Sequence, residues 1–277
     1  MSLKPKLYGL IGFPIQHSLS PRMHNTAFSR LGINAKYKLF EVKPGCLKYF
    51  LNTVVKKEKI LGFNVTYPYK EEILDFLNSK SGGVKEIGAA NTVLVEKNKL
   101  KGFNTDYLGF SAHLKELKVQ PKKVAIIGSG GASRAVCLAL AKMKIEELAV
   151  YDIDQFKSIN LFKNLKPVLE RIKFKVAASI EELAIYAKDL LVNCSPVGMR
   201  QTDPCLVKPE DLGSSLFVYD LIYSPQETKL LSLAKSLNLK FSNGLGMLLY
   251  QGAFAFKLFS GKAAPLEAMR MALLKRR

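Results

Sequence analysis

The chain has 277 residues, of which 48% are apolar, and 42 lysine and arginine residues against 23 acidic ones give a formal net charge of +19. This length predicts about two domains, at roughly 100–200 residues each, and the apolar content excludes an intrinsically disordered chain. No apolar run approaches the roughly 20 residues of a membrane helix, so we expect no membrane interaction.

The first hundred residues alternate strand-like and helix-like segments, which predicts a mixed or parallel sheet with helices packed against it. Ser20 followed by Pro21 is typical of a helix start, with Ser20 as the N-cap. Pro68 suits the start of a helix that carries Lys70 on its first turn. The predicted strands are 7–11, 37–42, 61–66 and 91–96, and the predicted helices are 21–31, 45–55 and 71–77.

The tripeptide Gly-Phe-Asn occurs twice in this region, at 62–64 and at 102–104. Each copy leads from an extended apolar stretch through a turn into a helical pattern, and each is followed by an ionisable group, Lys70 or Asp106. Open α/β folds place their chemistry where strands give way to helices. A lysine and an aspartate brought together there could exchange a proton with a bound polyol or ketone.

A second α/β series follows Asp106. After a helical pattern at 107–117, apolar strands alternate with amphipathic stretches, which is typical of a doubly wound parallel sheet. The strands are 123–127, 148–151, 174–177, 190–193 and 217–220, and the helical stretches between them are 132–143, 180–187 and 228–237. The remaining patterns, at 245–259 and 265–274, are helical and could cover either domain.

A glycine-rich segment, 128–135, follows a strand and opens a helix, the context in which such a motif indicates dinucleotide binding. The glycines would let backbone amides approach a pyrophosphate at the helix N-terminus. The alternative is a tight strand-to-helix turn. The candidate cofactor residues are Gly128, Gly130, Gly131, Ala132 and Ser133, the last of which stands where a third Gly or Ala is usual.

Asp152 ends the next strand, about 20 residues on, the distance at which a carboxylate accepts hydrogen bonds from the adenosine ribose and repels the 2′-phosphate of NADP. No arginine follows in the loop 152–157. The sequence therefore favours NAD as cofactor, while Lys157 keeps NADP possible. Asp154 either shares this role or caps the following helix.

Together these motifs resemble the shikimate dehydrogenase family, which reduces 3-dehydroshikimate to shikimate in aromatic biosynthesis and includes quinate/shikimate 5-dehydrogenases. The resemblance implies an α/β substrate-binding catalytic domain at 1–106, completed by the C-terminal helices of 244–277. It implies a Rossmann-like, doubly wound dinucleotide-binding domain at 107–243. The matching motifs lie at 12–21, 64–70, 88–92, 104–106, 128–135, 193–199, 220–225 and 244–251.

The resemblance also implies roles for individual residues. Lys70 and Asp106 match the catalytic pair, in which the ammonium donates to or stabilises the developing alkoxide and the carboxylate orients it. Two hydroxyls can bind the substrate carboxylate, because hydrogen bonds to a charged group contribute about 1.5–3 kcal/mol each. The matched substrate ligands are Ser18 and Ser20 for the carboxylate, Asn64, Thr66, Asn91 and Gln251 for the hydroxyls, and Tyr223 beside the substrate or nicotinamide.

At the start of the terminal helix, Gly244 and Met247 are matched to the cofactor site, and Gly246 and Met247 would let this helix approach the nicotinamide. Purely structural roles compete at several positions. Asn64 and Asn91 could form turns, Asp106 could cap a helix, Tyr223 could belong to a core, and the glycines could serve helix packing.

The chain departs from the family pattern after residue 151, where an Asn-Arg-Thr type sequence usually reads the NADP phosphate and this chain has Asp152-Ile-Asp154. This departure resembles NAD-preferring quinate/shikimate dehydrogenases, whereas Ser20, which quinate users often replace with Thr, favours shikimate. We therefore predict reversible, NAD(P)H-dependent reduction of 3-dehydroshikimate. The alternatives are a quinate or dual-specificity dehydrogenase and, in another class, a non-catalytic nucleotide-binding regulator or basic nucleic-acid binder.

The expected partner is a small anionic substrate, which the positive charge would attract. Nucleic acid is not expected, because the lysines are spread through the chain without the stacking aromatics of a single-strand groove. We expect no metal, since the four cysteines form no CxxC pair and the three histidines are scattered. A cytoplasmic location is expected, because no signal-peptide pattern is present. The expected assembly is a monomer or a homodimer.

Overall fold

The computed structural model describes residues 4–275, and its chain forms two compact units. The first unit takes in the chain up to Gly109 and again from Leu248, and the second unit is Phe110–Met247. The boundaries predicted from the sequence, after residues 106 and 243, lie a few residues before these. Both units combine a sheet with helices, so the predicted α/β class with two domains is confirmed.

The sheet of the first unit has six strands: β1 (Lys6–Gly12), β2 (Ala35–Glu41), β3 (Ile60–Val65), β4 (Ser79–Lys80), β5 (Thr92–Glu96) and β6 (Lys99–Phe103). Their order is β2-β1-β3-β5-β6-β4. β1 pairs in parallel with β2 and β3, whereas β5 runs antiparallel to β3 and β6. This mixed sheet places the start of β5 beside the ends of β3 and β6.

The sheet of the second unit also has six strands: β7 (Lys123–Ile127), β8 (Glu147–Tyr151), β9 (Lys173–Val176), β10 (Leu190–Asn193), β11 (Phe217–Asp220) and β12 (Lys240–Ser242). All are parallel, in the order β12-β11-β10-β7-β8-β9. The strand order reverses direction between β7 and β10, and ligands of doubly wound sheets bind at the carboxyl ends of the strands at such a point.

Residues 4–275 form ten α-helical segments, and an unpredicted π-helical turn, Phe50–Val54, separates the second from the third. They are α1 (Ser20–Arg30), α2 (Leu47–Tyr49), α3 (Val55–Lys57), α4 (Gly82–Ile87), α5 (Asp106–Glu116), α6 (Gly131–Lys142), α7 (Gln155–Leu169), α8 (Lys229–Ser236), α9 (Leu245–Ser260) and α10 (Leu266–Leu274). No helix within residues 4–275 is long and apolar enough to cross a membrane.

The start of α1 differs from the sequence prediction. Leu19 is the N-cap residue, and Ser20 is the first residue of the helix, with no capping hydrogen bond from its side chain. The prediction of Ser20 as N-cap is therefore wrong, because the helix begins one residue earlier than predicted and the Ser20 hydroxyl lies near the side chain of Tyr37 on β2.

Several short or lysine-rich elements were not predicted from the sequence. α7 carries lysines on its exposed side and Pro167 in its last turn, which obscure its apolar pattern. β4 and β12 are two and three residues long, too short for an alternating pattern. The stretch predicted as a helix at 180–187 forms two 3₁₀ turns, Glu181–Leu183 and Ile185–Ala187.

His24 lies on the buried face of α1 and has no solvent exposure. Its ring stacks on Tyr37, with centroids 4.3 Å apart and an angle of 4° between the ring planes. Neither ring nitrogen has a hydrogen-bond partner within residues 4–275. Burial lowers the pKa of His24 to about 3, so the imidazole is neutral in the folded protein near pH 7.

This burial predicts a pH dependence of stability. The unfolded chain takes up the His24 proton near pH 6.5, whereas the folded protein takes it up only near pH 3. His24 therefore costs no stability above about pH 6.5, and below it the free energy of unfolding should fall by up to about 1.4 kcal/mol per pH unit.

His24→Phe keeps the ring stack and removes the titration. Urea unfolding of both proteins between about pH 7.5 and about pH 4.5 measures the difference, because all other titrating groups are shared. We expect the variant to gain stability relative to the parent chain as the pH falls. A difference that stays constant with pH would contradict this prediction.

Candidate active site

Lys70 and Asp106, predicted as a pair, are in direct contact. Lys70 Nζ lies 2.6 Å from Asp106 Oδ2, and the two side chains are 18% and 8% exposed. The second carboxylate oxygen, Oδ1, accepts a hydrogen bond of 2.7 Å from Asn91 Nδ2. Asp106 is thus fixed by partners on both oxygens, while the ammonium keeps an exposed side on which it can meet another group.

The mixed sheet explains why these residues converge. In the register of the sheet, Thr92 at the start of β5 lies opposite Asn64 on β3 and opposite Phe103 at the end of β6. Asn91 therefore stands between Asn64 and the segment that leads from β6 into Asp106. Lys70 follows β3 and is held here by a backbone bond from Ala90 N to its carbonyl oxygen, 2.8 Å long.

Asn91 is the centre of a hydrogen-bond network and is 2% exposed. Its Oδ1 accepts from Thr105 N at 2.7 Å and from Thr92 Oγ1 at 3.0 Å. Its Nδ2 donates to Thr105 Oγ1 at 2.9 Å, to Asp106, and to Gln251 Oε1 on α9 at 3.4 Å. Asn91 thus links three segments of the first unit that are far apart in the sequence.

Asn64 is also fully engaged, through a residue that the sequence interpretation missed. Tyr37 Oη donates to Asn64 Oδ1 at 2.7 Å, and Asn64 Nδ2 donates to Thr92 Oγ1 at 2.9 Å. Burial raises the pKa of Tyr37 well above its usual value, and a hydrogen bond from Ser20 offsets only part of this shift. Tyr37 thus stays a neutral donor that sets the orientation of Asn64.

The two serines lie in the loop between β1 and α1. Ser20 N donates to Ser18 Oγ at 3.3 Å, and Ser20 is 6% exposed. Thr66 follows β3 and lies beside the start of the same loop, since a Cβ on Gly12 would be 2.4 Å from Thr66 Cγ2. The structure thus brings Ser18 and Ser20 together, and it places Thr66 next to their loop.

Tyr223 is the one predicted substrate ligand that lies outside the first unit. It follows β11 in the second unit and is half-buried, and burial raises its pKa. The other predicted substrate ligands, Ser18, Ser20, Asn64, Thr66, Asn91 and Gln251, all belong to the first unit.

The glycine-rich loop of the second unit joins β7 to α6. Gly128 has a φ of +98°, in the left-handed region that favours glycine, and a Cβ there would be 2.7 Å from Ser195 N. Gly130 is the N-cap residue of α6, and no heavy atom lies within 4 Å of the position of a Cβ there. The helix N-terminus therefore borders open space, which suits a phosphate.

The other loop residues differ in what they can offer a ligand. Gly131 and Ala132 begin α6 and are half-buried. The side chain of Ser133 is completely buried, so that only its backbone could face a cofactor.

Asp152 follows β8 and is occupied by hydrogen bonds within the protein. Its Oδ2 accepts from Ser129 N and from Ser129 Oγ, both at 2.8 Å, and its Oδ1 accepts from Asp154 N at 2.9 Å. Asp154 is the N-cap residue of α7 and accepts from Phe156 N at 3.1 Å. Asp152 thus ties the glycine-rich loop to the end of β8, a role that the sequence did not indicate.

Gly244 and Met247 lie at the start of α9. A Cβ on Gly244 would be 2.0 Å from the carbonyl oxygen of Leu221, so that no larger residue fits without moving the backbone. Met247 is 8% exposed. Close packing therefore accounts for the glycine, and the cofactor contact predicted for both residues stays a prediction.

Comparison with known proteins gives a consistent set of relatives. The model of the shikimate dehydrogenase substrate-binding domain matches residues 10–93, and that of the shikimate 5′-dehydrogenase C-terminal domain matches residues 244–274. The chain is 38% identical to the shikimate dehydrogenase (NADP(+)) of Methanocaldococcus jannaschii, over 99% of this chain and 98% of that protein.

Solved structures agree over the same length. The chain resembles the crystal structure of shikimate dehydrogenase from Aquifex aeolicus with a TM-score of 0.91 and 38% identity, over 99% of this chain and 100% of that one. A crystal structure of shikimate dehydrogenase in complex with NADP+ gives a TM-score of 0.89 and 39% identity, over 98% of this chain and 95% of that one.

These relatives overturn the prediction of NAD as the favoured cofactor, because they are named for NADP+ or hold it. The prediction was wrong because it treated Asp152 as a free carboxylate. In the structure one oxygen of Asp152 accepts hydrogen bonds from Ser129 and the other accepts one from Asp154. The presence of an aspartate here therefore does not by itself indicate a ribose ligand.

The structural role of Asp152 can be tested by substitution. Asp152→Ala removes an acceptor of three hydrogen bonds and should lower the free energy of unfolding by about 2 kcal/mol. Asp154→Ala is the matched control, since it removes a helix cap and an exposed ion pair with Lys157 and should cost about 1 kcal/mol. Urea unfolding measures both values, and an Asp152→Ala variant as stable as the control would reject this role.

Proposed function

The chain belongs to the shikimate dehydrogenase family, and we infer from this membership that it catalyses the reversible, NADP(H)-dependent reduction of 3-dehydroshikimate to shikimate. The observation that carries this inference for the chain itself is the contact of 2.6 Å between Lys70 and Asp106. A half-buried ammonium held by a carboxylate, among amide and hydroxyl groups, is suited to proton exchange with a polyol or ketone.

In the proposed mechanism Lys70 Nζ holds the proton that the developing alkoxide takes up. Asp106 Oδ2 accepts one N–H of the ammonium and so directs another towards the substrate oxygen. Asn91 donates to the other oxygen of Asp106, which prevents the carboxylate from turning away. When bound, the reduced nicotinamide supplies the hydride for the ketone carbon.

We propose that the first unit binds the substrate. The hydroxyls of Ser18 and Ser20 take the carboxylate, and Thr66 and Gln251 take hydroxyl groups. Asn64 already uses its amide hydrogens within the protein, so it contributes through its oxygen. Asn91, whose oxygen and amide hydrogens are both engaged, contributes by shaping the site. Tyr223 is proposed as a further contact from the second unit.

The second unit is proposed as the dinucleotide-binding domain. Its glycine-rich loop offers an open helix N-terminus at Gly130, where the pyrophosphate would bind. Gly131, Ala132 and the backbone of Ser133 continue this surface along α6. Gly244 and Met247 are proposed to border the nicotinamide.

Three expectations from the sequence stay predictions. They are a cytoplasmic location, a monomeric or homodimeric state, and the absence of nucleic-acid binding.

The function is tested by incubating the purified protein with shikimate and NADP+ and recording NADPH absorbance. We expect turnover with this pair. Lack of turnover in both reaction directions would reject the proposed function. Quinate in place of shikimate tests the dual-specificity alternative in the same assay.

The role of Lys70 is tested by Lys70→Ala. Loss of a general acid–base group should lower kcat by about 10²- to 10⁴-fold and change KM for shikimate little. Lys36→Ala, which removes an exposed lysine of the same unit, is the matched control and should change neither constant. Equal activity of the two variants would show that the catalytic assignment is wrong.

Ser18→Ala should affect KM for shikimate and not kcat, the opposite of what is expected for Lys70→Ala. Removal of a hydroxyl that binds a carboxylate should raise KM for shikimate by roughly tenfold or more and leave kcat near its original value. A variant that loses kcat at unchanged KM would mean that Ser18 takes part in the chemical step.

A further inference from the structure

A buried His–Tyr pair lies in the second unit, outside the residues assigned so far. His113 Nδ1 on α5 is 2.6 Å from Tyr219 Oη on β11. His113 is 6% exposed and Tyr219 is completely buried, with its ring packed edge-on against Phe110 at a centroid distance of 5.1 Å. Buried polar groups are hydrogen-bonded, so each of these two side chains must act either as donor or as acceptor towards the other.

Both side chains contact the start of α9. The backbone amide of Met247 lies close enough to the Tyr219 hydroxyl to lower the pKa of Tyr219, although burial outweighs this effect. A Cβ on Gly246 would be 2.1 Å from His113 Nε2 and Cε1, so the imidazole occupies the space that a side chain at position 246 would need. The pair therefore packs closely against Gly246 and lies beside the backbone amide of Met247.

The proton arrangement follows from what each group can do. A backbone N–H can only donate, so the nearby amide of Met247 favours an accepting role for the Tyr219 oxygen. Burial raises the pKa of Tyr219, so the phenol keeps its proton, and within residues 4–275 its acceptor is His113 Nδ1. His113 is then the tautomer protonated on Nε2, which faces Glu116 Oε2 at 3.9 Å.

The start of α9 needs such support. The first N–H groups of a helix have no acceptor within the helix. Asn243 Oδ1 accepts from Leu245 N at 3.1 Å, and the Tyr219 hydroxyl lies beside the amide of Met247. Gly246, between them, has no side chain of its own, and glycine has the largest backbone freedom of any residue.

We propose that His113 and Tyr219 are positioning residues for the nicotinamide end of the cofactor site, acting through the backbone of Gly246 and Met247. This inference rests on the proposed function, in which Met247 borders the nicotinamide. Neither side chain is assigned a contact with the cofactor. Their effect is to fix the first turn of α9 in the place where the cofactor meets it.

The test is Tyr219→Phe, which keeps the ring and removes the hydroxyl. We expect the Kd for NADPH, measured by isothermal titration, to rise roughly three- to tenfold, with a matching rise in KM for NADPH. KM for shikimate should stay within about twofold, because the proposed ligands of its carboxylate lie in the first unit. Tyr186→Phe, at an exposed tyrosine of the second unit, is the matched control.

His113 is tested from the other side of the pair. His113→Asn places an amide acceptor near the position of Nδ1 and should keep most of the NADPH affinity, whereas His113→Phe removes the acceptor and should lose it as Tyr219→Phe does. These variants decide the question if Tyr219→Phe does not fold. Gly246→Ala should also weaken NADPH binding, and His113→Ala in the same chain should restore part of it by removing the clash.

The outcomes are distinguishable. If the unaltered protein does not bind NADPH or turn over shikimate, the proposed function fails. If it does both, and Tyr219→Phe and His113→Phe bind NADPH as the Tyr186→Phe control does, only the positioning inference is overturned. An equal rise in KM for NADPH and for shikimate would also overturn it, because a general loss of structure would then explain the effect.

Discussion

The side chain of Asp106 is 8% exposed, so its negative charge must be stabilised by ion pairing and hydrogen bonds within the protein. The arrangement of the first unit depends on this requirement. Lys70 meets one oxygen and Asn91 meets the other. The three residues follow or precede different strands, and only a sheet in which β5 lies antiparallel between β3 and β6 brings them to one edge. The Lys70–Asp106 pair therefore depends on the strand order, because Lys70 follows β3 and Asn91 precedes β5, the strand that lies next to β6.

The same principle operates differently in the second unit. There the carboxylate of Asp152 accepts two hydrogen bonds from Ser129 and one from the backbone of Asp154. Its bonds hold the loop that leads into α6, whose N-terminus stays open at Gly130. Asp152 thus fixes the shape of this loop through uncharged hydrogen-bond donors. This explains how an aspartate can occupy the end of β8 in a family whose named relatives use NADP+.

Much of the fold could be predicted from the sequence, because apolar strands flanked by turns are local signals. β7, β10 and β11 begin and end at the predicted residues. The convergence of Lys70 and Asp106 was also predictable, since both follow strands. The hydrogen-bond partners of individual polar side chains could not be predicted, because these partners are close in space but distant in the sequence. Tyr37 reaches Asn64 across the intervening strand β1, and no spacing in the sequence announces that contact.

The first unit is discontinuous in the sequence, and this has a consequence for how the protein is made. Gln251 and the aromatic residues of α9 are synthesised only after the whole second unit, which at about 5–20 residues per second takes on the order of ten seconds. In the folded protein the ring of Phe259 covers Tyr8 and that of Phe256 covers Phe28, with ring centroids 5.0 and 5.1 Å apart. Until α9 is synthesised, Tyr8 and Phe28 lack this cover. A nascent chain must keep this apolar face from aggregating while the second unit folds. The first unit is thus completed only after the second unit has been synthesised.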